Sequence, residues 1–362
     1  MARHHLDEPA RDLLAVTARL GGVHAQLASA AELALGIRST DAGGAAVRDA
    51  LWRDRTLVKT WAMRGTLHLL PAAEFPLWVA APRTRKRQRY PPAWERNFGV
   101  TPAETEAITE AVGQVLPGRH LTREELAAEI ARKLGEPRFA ELLGSGWGAL
   151  LKPAALLGEL CFGPSRGQQV TFVSPRDWLP GPWREPPADE ALAVVLRRFL
   201  DGYGPATHDD VARWWGVQPK VGRDWVARHA ADLEQVDLDG RPHWMTPEGA
   251  AGLAGAGPPP PVRLLGGFDP YVVAPVGQRR ALVPQEYHPR VSRTSGWISP
   301  VLLVDGRYRG VWEYERTGAG VVATVTPFGA LPVRVRRAAE RQAAAFGPVL
   351  GGDVGVRWAD PV

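Results

Sequence analysis

The sequence predicts an α+β fold from two observations. A unit of helices followed by a two-stranded hairpin recurs along the first two thirds of the chain, and a strand-rich segment follows it. The 362 residues exceed what one compact core needs, so we expect several packed units. With 45% hydrophobic and 23% charged residues, the composition is that of a folded globular protein.

The first copy of the unit ends in a predicted hairpin. Its strands are the segments TLVKTWAM and TLHLLP, and the turn between them lies at Arg64 and Gly65. Three helices are predicted before it, at residues 10–20, 26–38 and 43–54.

The second copy begins at Thr101, where a capping residue precedes a proline at the first helical position. Thr122 and Glu125 have the spacing of a capping box and predict the start of the next helix. A helix near 147–159 is then expected to lead into the hairpin segment ELCFGPSRGQQVTFVS, with a polar tip.

The third copy begins near residue 188 with the helical segment ALAVVLRRFLDGYG. Thr207 is expected to open a second helix, and a third is predicted over 219–232. The hairpin LEQVDLDGRPHWMT turns at Asp239 and Gly240, a dipeptide typical of two-residue turns.

Three successive units of helices and a hairpin predict tandem winged helices, in which the hairpin is the wing. The Gly/Pro-rich segment at 252–262 is typical of a linker. The strands predicted beyond it favour a small barrel-like β subdomain with a final helix near 335–346; they are VRLLGGFDPYVVAP, RRALVP, SPVLLVDGRYRGVWEYE and VVATVTPF. The expected organisation is a winged helix 1 at 1–98, a winged helix 2 at 99–186, a winged helix 3 at 187–256, and a β-rich subdomain at 262–362.

Composition narrows the function classes. The net charge of +5 favours a polyanionic partner, but nearly all the positive charge is arginine in a chain rich in Ala, Gly and Pro, so local clusters carry more weight. One such cluster, followed by Tyr90 and Trp94, is either a solvated face or a phosphate-binding surface. Its members are Arg83, Arg85, Lys86, Arg87 and Arg89.

Several classes of protein are not expected. The single cysteine, Cys161, excludes a disulfide framework, and the scattered histidines predict no metal site. The sequence has no Walker A loop, dinucleotide fingerprint, GxSxG or HExxH motif, so we expect no cofactor. No apolar run is long enough to cross a bilayer and no signal pattern opens the chain, so we expect a cytoplasmic protein that associates with the nucleoid when it binds DNA. We also expect it to be a monomer.

One short segment could carry chemistry. Between the first two predicted helices, Gly21 and Gly22 precede His24-Ala25-Gln26. In an extended turn, residues two apart face the same side, so His24 and Gln26 could together hold a water molecule. We expect Gln26 to be partly buried at the head of the apolar stripe of the second helix. Two interpretations stay open: the pair braces the start of this helix, or it positions water in a cleft that faces DNA.

The segment resembles the signature of the AlkZ-like winged-helix DNA glycosylases, two polar residues around one aliphatic, commonly Gln-x-Gln. Three further matches follow in the family's order: WAMRGTLHLLP, LLGGFDPYVVAP and DGRYRGVWEYE. His24 stands where many members have glutamine. The resemblance implies a monofunctional glycosylase that removes alkylated purines, such as bulky N7 or N3 adducts or interstrand crosslinks, from double-stranded DNA. Self-resistance to a genotoxic natural product is a further implied role.

Other residues are weaker candidates. Arg64, Arg166 and Gln168 lie at predicted hairpin tips and could reach DNA. His68 is expected to make a structural hydrogen bond, and Asp269 to bond its own backbone in a turn; both are secondary candidates for the site. The alternative function is a non-enzymatic winged-helix DNA-binding protein or transcription regulator. Winged helices occur both in enzymes that act on DNA and in proteins that only bind it, so the fold does not separate the two. The His24-x-Gln26 pair is what separates the two.

Overall fold

The computed structural model describes residues 1–41, 43–84, 90–144, 148–253, 255–273, 279, 281–318 and 320–362. The chain forms two compact units. Unit 1 comprises Met1–Arg48 and Leu196–Val362, and unit 2 comprises Asp49–Val195. Both contain helices and sheets, so the prediction of a mixed α and β protein is confirmed. Within the described residues, no helix is long and apolar enough to span a membrane.

The helices are short to medium in length and occur along both units. Their bounds are α1 Leu13–Arg19, α2 Ala28–Gly36, α3 Gly44–Trp52, α4 Phe75–Ala80, α5 Trp94–Phe98, α6 Pro102–Val115, α7 Arg123–Leu134, α8 Arg138–Gly144, α9 Lys152–Leu156, α10 Pro175–Trp178, α11 Ala188–Tyr203, α12 His208–Trp215, α13 Pro219–Arg228, α14 Pro247–Ala251, α15 Pro270–Val273, α16 His288–Val291, α17 Val333–Ala344 and α18 Gly347–Leu350.

The strands form hairpins and sheets. Their bounds are β1 Val23–His24, β2 Leu57–Trp61, β3 Leu67–Pro71, β4 His120–Thr122, β5 Cys161–Arg166, β6 Gln169–Val173, β7 Glu234–Leu238, β8 Arg241–Met245, β9 Val262–Leu265, β10 Val301–Val304, β11 Arg307–Thr317, β12 Gly320–Pro327 and β13 Val354–Trp358.

Local sequence signals account for several helix starts. Thr101, Thr122 and Thr207 each accept a hydrogen bond from the backbone of the third helical residue, whose carboxylate bonds back to the threonine N–H. These capping boxes satisfy amide groups that have no partner inside the helix. The predicted starts of α6, α7 and α12 are therefore confirmed.

Unit 2 is built on the antiparallel hairpin β2–β3 and a sheet of order β4-β6-β5. A buried cluster that includes Trp61, Ile108, Ile130 and Phe172 joins these strands to α6 and α7. The helix predicted over 147–159 is shorter than expected: a 3-10 turn at Ala149–Leu151 precedes α9, which ends at Leu156.

Unit 1 contains an open five-stranded sheet of order β13-β12-β11-β10-β9. The prediction of a barrel-like subdomain is wrong, because β9 and β13 are the two edges of this sheet and do not pair with each other. Strand β13 was not expected; it runs parallel to β12, and the intervening segment contains α17 and α18. Helix α17 packs on the sheet and buries Val335, Ala339 and Ala343, which covers a face that closure would otherwise have to bury.

The sheet is buried on both faces, because successive side chains along its strands point to opposite faces and both sets are apolar. Leu264, Leu302 and Trp312 pack with Leu33 of α2 in one cluster. Leu265, which follows Leu264 on β9, belongs to a second cluster with the neighbouring segment at Phe268. Ile37, which directly follows α2, packs against both clusters.

The strand predicted over VRLLGGFDPYVVAP is present as β9 only as far as Leu265. Pro270–Val273 is the short helix α15. Asp269 starts it: its Oδ1 accepts the Tyr271 N–H at 2.9 Å, and its carbonyl accepts from Val272 and Val273. Proline at the first helical position suits this start. The strand predicted over RRALVP is also wrong, since residues 279, 281 and 282 are helical.

Candidate active site

The segment that carries the candidate pair lies between α1 and α2. Gly21 and Gly22 have φ values of 62° and 93°, a region that favours glycine, and they end the first helix. Strand β1 then ends at His24, and α2 begins only at Ala28. The prediction that this segment is not helical is confirmed. Val23 and His24 are extended, whereas Gln26 and Leu27 lie in a bend that leads into α2.

His24 lies against an aromatic ring. His24 is 9% exposed. Its imidazole stacks on the ring of Phe268, with ring centroids 4.7 Å apart and an interplanar angle of 9°. Phe268 itself has φ 55°, a left-handed conformation that is uncommon for a bulky residue. The ring is therefore held at His24 by a specific backbone conformation.

Gln26 is exposed, so the expectation that it is partly buried is wrong. The reason is the helix start. Because α2 begins two residues after Gln26, this side chain does not continue the stripe that buries Ala30 and Leu33. Leu27, the residue after it, is also exposed. The amide of Gln26 is free to approach a molecule outside the fold, while His24 is fixed inside it.

Asp269 forms a buried ion pair with Arg38. The Nη2 of Arg38 donates to Asp269 Oδ1 at 2.7 Å, Nη1 donates to Oδ2 at 2.8 Å, and both side chains are fully buried. Nη1 also donates to the Ala34 carbonyl at 2.8 Å. This two-point contact joins the end of α2 to the start of α15. Asp269 bonds its own backbone as predicted, but most of its bonding capacity is used by Arg38.

Two residues of this site were missed by sequence reasoning. Phe268 lies within LLGGFDPYVVAP, a segment that resembles the AlkZ-like family, and this resemblance was the signal that could have pointed to it. Arg38 gave no such signal: an arginine at the end of a helix is ordinarily solvated, and its partner lies 231 positions away. Among the described residues, no three histidine, cysteine or acidic side chains are grouped so that they could hold a metal ion.

A family model for AlkZ-like DNA glycosylases matches residues 17–349. The chain belongs to this family. An interstrand DNA cross-link repair glycosylase from Streptomyces sahachiroi is 39% identical over 340 residues, which cover 91% of this chain and 88% of that relative. A solved structure of the S. sahachiroi DNA glycosylase AlkZ superimposes with a TM-score of 0.87 and 36% identity, and covers 99% of this chain and 97% of that one.

The family settles the enzyme class. DNA glycosylases hydrolyse N-glycosyl bonds, so the predictions of a DNA glycosylase and of DNA as its partner are confirmed. A regulator without chemistry is not supported. The tandem winged helices, the domain boundaries, the monomeric state and the roles of individual residues stay predictions.

The predicted DNA contacts of this AlkZ-like glycosylase lie in unit 2. Arg64 is half-buried in the turn between β2 and β3, with φ 58°. Arg83 forms an ion pair with Glu185. Gln168 is exposed at the tip between β5 and β6. Arg85, Lys86, Arg87 and Arg89 lie outside the described residues.

Two predicted residues of unit 2 are engaged within the protein. Arg166 contacts both oxygens of Glu125, at 2.9 and 3.0 Å, and the His120 carbonyl. A phosphate would therefore have to share or displace this ion pair. His68 is buried on β3, and its Nδ1 donates to the Thr66 carbonyl at 2.9 Å, which is the structural hydrogen bond expected of it.

Proposed function

We propose that this AlkZ-like glycosylase hydrolyses the N-glycosyl bond of purines alkylated at N7 or N3, including bulky adducts and interstrand crosslinks. The observation that carries the proposal is the pairing of a fixed His24 with an exposed Gln26, two residues apart in a non-helical turn. The relative named for cross-link repair, at 39% identity, supports crosslinked DNA as a substrate.

The chemistry follows from the charge of the lesion. Alkylation at N7 makes the base cationic, so the bond between C1′ and N9 breaks with its electrons going to the base, which leaves neutral. The sugar then develops oxocarbenium character, and water adds to C1′ and loses a proton. The protein has to place that water and stabilise positive charge on the sugar.

His24 and Gln26 are suited to the two parts of this task. The amide of Gln26 can accept and donate hydrogen bonds at once, which orients a water molecule. The imidazole of His24, held by the stack on Phe268, can accept the proton of the attacking water. Because the pair needs no covalent bond to the sugar, the reaction would end at an abasic site with the strand intact.

We also propose that the helices and hairpins act as tandem winged helices on the duplex. Each predicted copy contains helices followed by a hairpin in the expected order, at β2–β3, β5–β6 and β7–β8. Protection of these hairpins from amide hydrogen exchange on binding a lesion duplex would support the proposal. Equal exchange of all three with and without DNA would contradict it.

The test of the proposed activity uses duplexes that carry one N7-methylguanine, one bulky N7-alkylguanine or one N7-linked interstrand crosslink. We expect base release with each, seen as an abasic site that alkali cleaves, and separation of the strands for the crosslink. Release of N7-methylguanine alone would limit the proposal to small lesions. Binding of all three duplexes without release of any base would overturn it. Self-resistance, the biological role proposed with this chemistry, predicts that the gene protects a sensitive host from a DNA-alkylating natural product.

A further inference from the structure

Trp297 is an exposed aromatic residue next to the candidate active site. It is 41% exposed, and its ring packs edge-on against Phe268, at a centroid distance of 5.1 Å and an interplanar angle of 72°. The imidazole of His24 also contacts Phe268, in the stacked arrangement described above. One phenyl ring therefore contacts both an exposed indole and the imidazole proposed to act on the lesion.

The loop that carries Trp297 is closed by its own backbone. The Arg293 N–H donates to the Trp297 carbonyl at 2.8 Å, and Ser292 and Ile298 form an antiparallel bridge at its base. A 3-10 turn at Thr294–Gly296 lies between them, with Ser295 at φ 58°. Trp297 is thus presented on a short, hydrogen-bonded turn, which lowers the entropy lost when a ligand binds to it.

The charge of this loop fits a nucleic acid. Arg290 and Arg293 are both exposed, and the sequence has no acidic residue between Glu286 and Asp305. An exposed aromatic ring beside arginines is the combination with which proteins stack on a nucleobase and bind the neighbouring phosphate. A small apolar ligand would make no use of the arginines.

We propose that Trp297 stacks on, or wedges beside, the nucleobase that flanks the excised one, and that Arg293 binds the adjacent phosphate. This inference rests on the proposed function of His24 and Gln26. In a repair enzyme that leaves a bulky lesion in the duplex, such a contact fixes the register of the DNA. The sugar of the lesion is thereby held at His24, so Trp297 is a positioning residue.

The location is tested by photocrosslinking. A duplex carries N7-methylguanine on a 2′-fluoro sugar, which resists cleavage, and one 5-iodouracil either beside the lesion or ten base pairs away. We expect irradiation to join the iodouracil beside the lesion to the peptide that contains Trp297, and the distant one to give no such product. Equal crosslinking from both positions, or none at Trp297, would overturn the inference.

Kinetics separate this role from a structural one. Trp297→Ala is expected to weaken lesion-duplex binding and raise KM about tenfold, while Trp297→Phe, which keeps a stacking ring, retains most of the affinity. Leu253→Ala is the matched control, since Leu253 is another exposed apolar side chain of unit 1. Unchanged KM in Trp297→Ala would contradict the inference.

Arg293 gives an independent measurement. Loss of one phosphate contact reduces the slope of log K against log salt by about 1, so Arg293→Ala is expected to show this change. Arg357→Ala, an exposed arginine on β13, should keep the slope of the unchanged protein. If the unchanged protein releases no base yet crosslinks through Trp297, the proposed activity fails and the contact stands. If the unchanged protein releases the base but does not crosslink through Trp297, the proposed activity stands and the contact of Trp297 fails.

Discussion

The guanidinium of Arg38 and the carboxylate of Asp269 form two hydrogen bonds, at 2.7 and 2.8 Å, and no part of either side chain is exposed. The pair joins the end of α2, which follows the His24-x-Gln26 segment, to the residue that follows Phe268. It therefore connects both sides of the stacked contact between His24 and Phe268.

Asp269→Asn is expected to destabilise the protein by about 3–5 kcal/mol, because it leaves the buried charge of Arg38 without a counterion. Base release should fall further than the loss of folded protein explains, since Phe268 loses the anchor beside it. Thermal unfolding and single-turnover base release measure the two effects. Arg53→Ala removes the exposed ion pair with Asp49 and should change neither. Wild-type stability in Asp269→Asn would contradict this account of the pair.

Phe268→Leu is expected to lower the rate of base release more than it lowers duplex affinity, because it removes the ring on which His24 stacks. Phe268→Tyr keeps that ring and should restore the rate. Imidazole NMR signals of His24 report the change directly: they should shift in the leucine variant and stay near their original positions in the tyrosine variant. Identical rates for both variants would show that the stack has no part in catalysis.

Gly148→Ala tests the packing of unit 2. At Gly148 φ is +72°, and an added Cβ would lie 2.7 Å from the indole of Trp61, so the substitution adds a clash to backbone strain. Gly135→Ala is the matched control, with φ +69° and no heavy atom within 4 Å of the added Cβ. We expect Gly148→Ala to cost about 1–3 kcal/mol more free energy of unfolding than the control. Equal losses would mean that Trp61 moves aside freely.

His4 predicts a pH dependence of stability. Burial, together with the positive charges of Arg38 and the N-terminus, lowers the pKa of His4 well below its usual value. The unfolded chain takes up a proton near pH 6.5 while the folded chain does not, so stability is lost as the pH falls from about 7 toward 5. In urea titrations at several pH values, His4→Phe should show a weaker loss over this interval. The same loss in both proteins would exclude His4 as the cause.

Local rules were enough for much of the fold. The capping residues Thr101, Thr122 and Thr207 determine helix starts through contacts within three positions, so the sequence predicts them well. The turn at Asp239 and Gly240, with φ 53° and 74°, is equally local. The open sheet was not predictable in this way, because β13 pairs in parallel with β12 across an intervening helical segment.

The candidate site also contains features that local sequence rules predict and features that depend on long-range packing. The glycines at 21 and 22 break α1 and predict a non-helical segment at His24, as the structure confirms. The exposure of Gln26 depended on where α2 begins, which patterns locate only to within a few residues. The partners of the site, Phe268 and Arg38, come from long-range packing on the five-stranded sheet. A buried arginine whose counterion is 231 residues away has no signature in one sequence.

Base release is proposed to depend on the joint action of His24 and Gln26. The measurement is single-turnover release of N7-methylguanine from a duplex by Gln26→Ala and His24→Ala, with duplex affinity measured in parallel. We expect both rates to fall about 100-fold or more at nearly unchanged affinity, as for loss of a water-positioning group. His24→Gln, which creates the commoner Gln-x-Gln form of the family, and Gln218→Ala, an exposed glutamine at the start of α13, should both stay active. Release by Gln26→Ala at the unmutated rate would contradict the central claim.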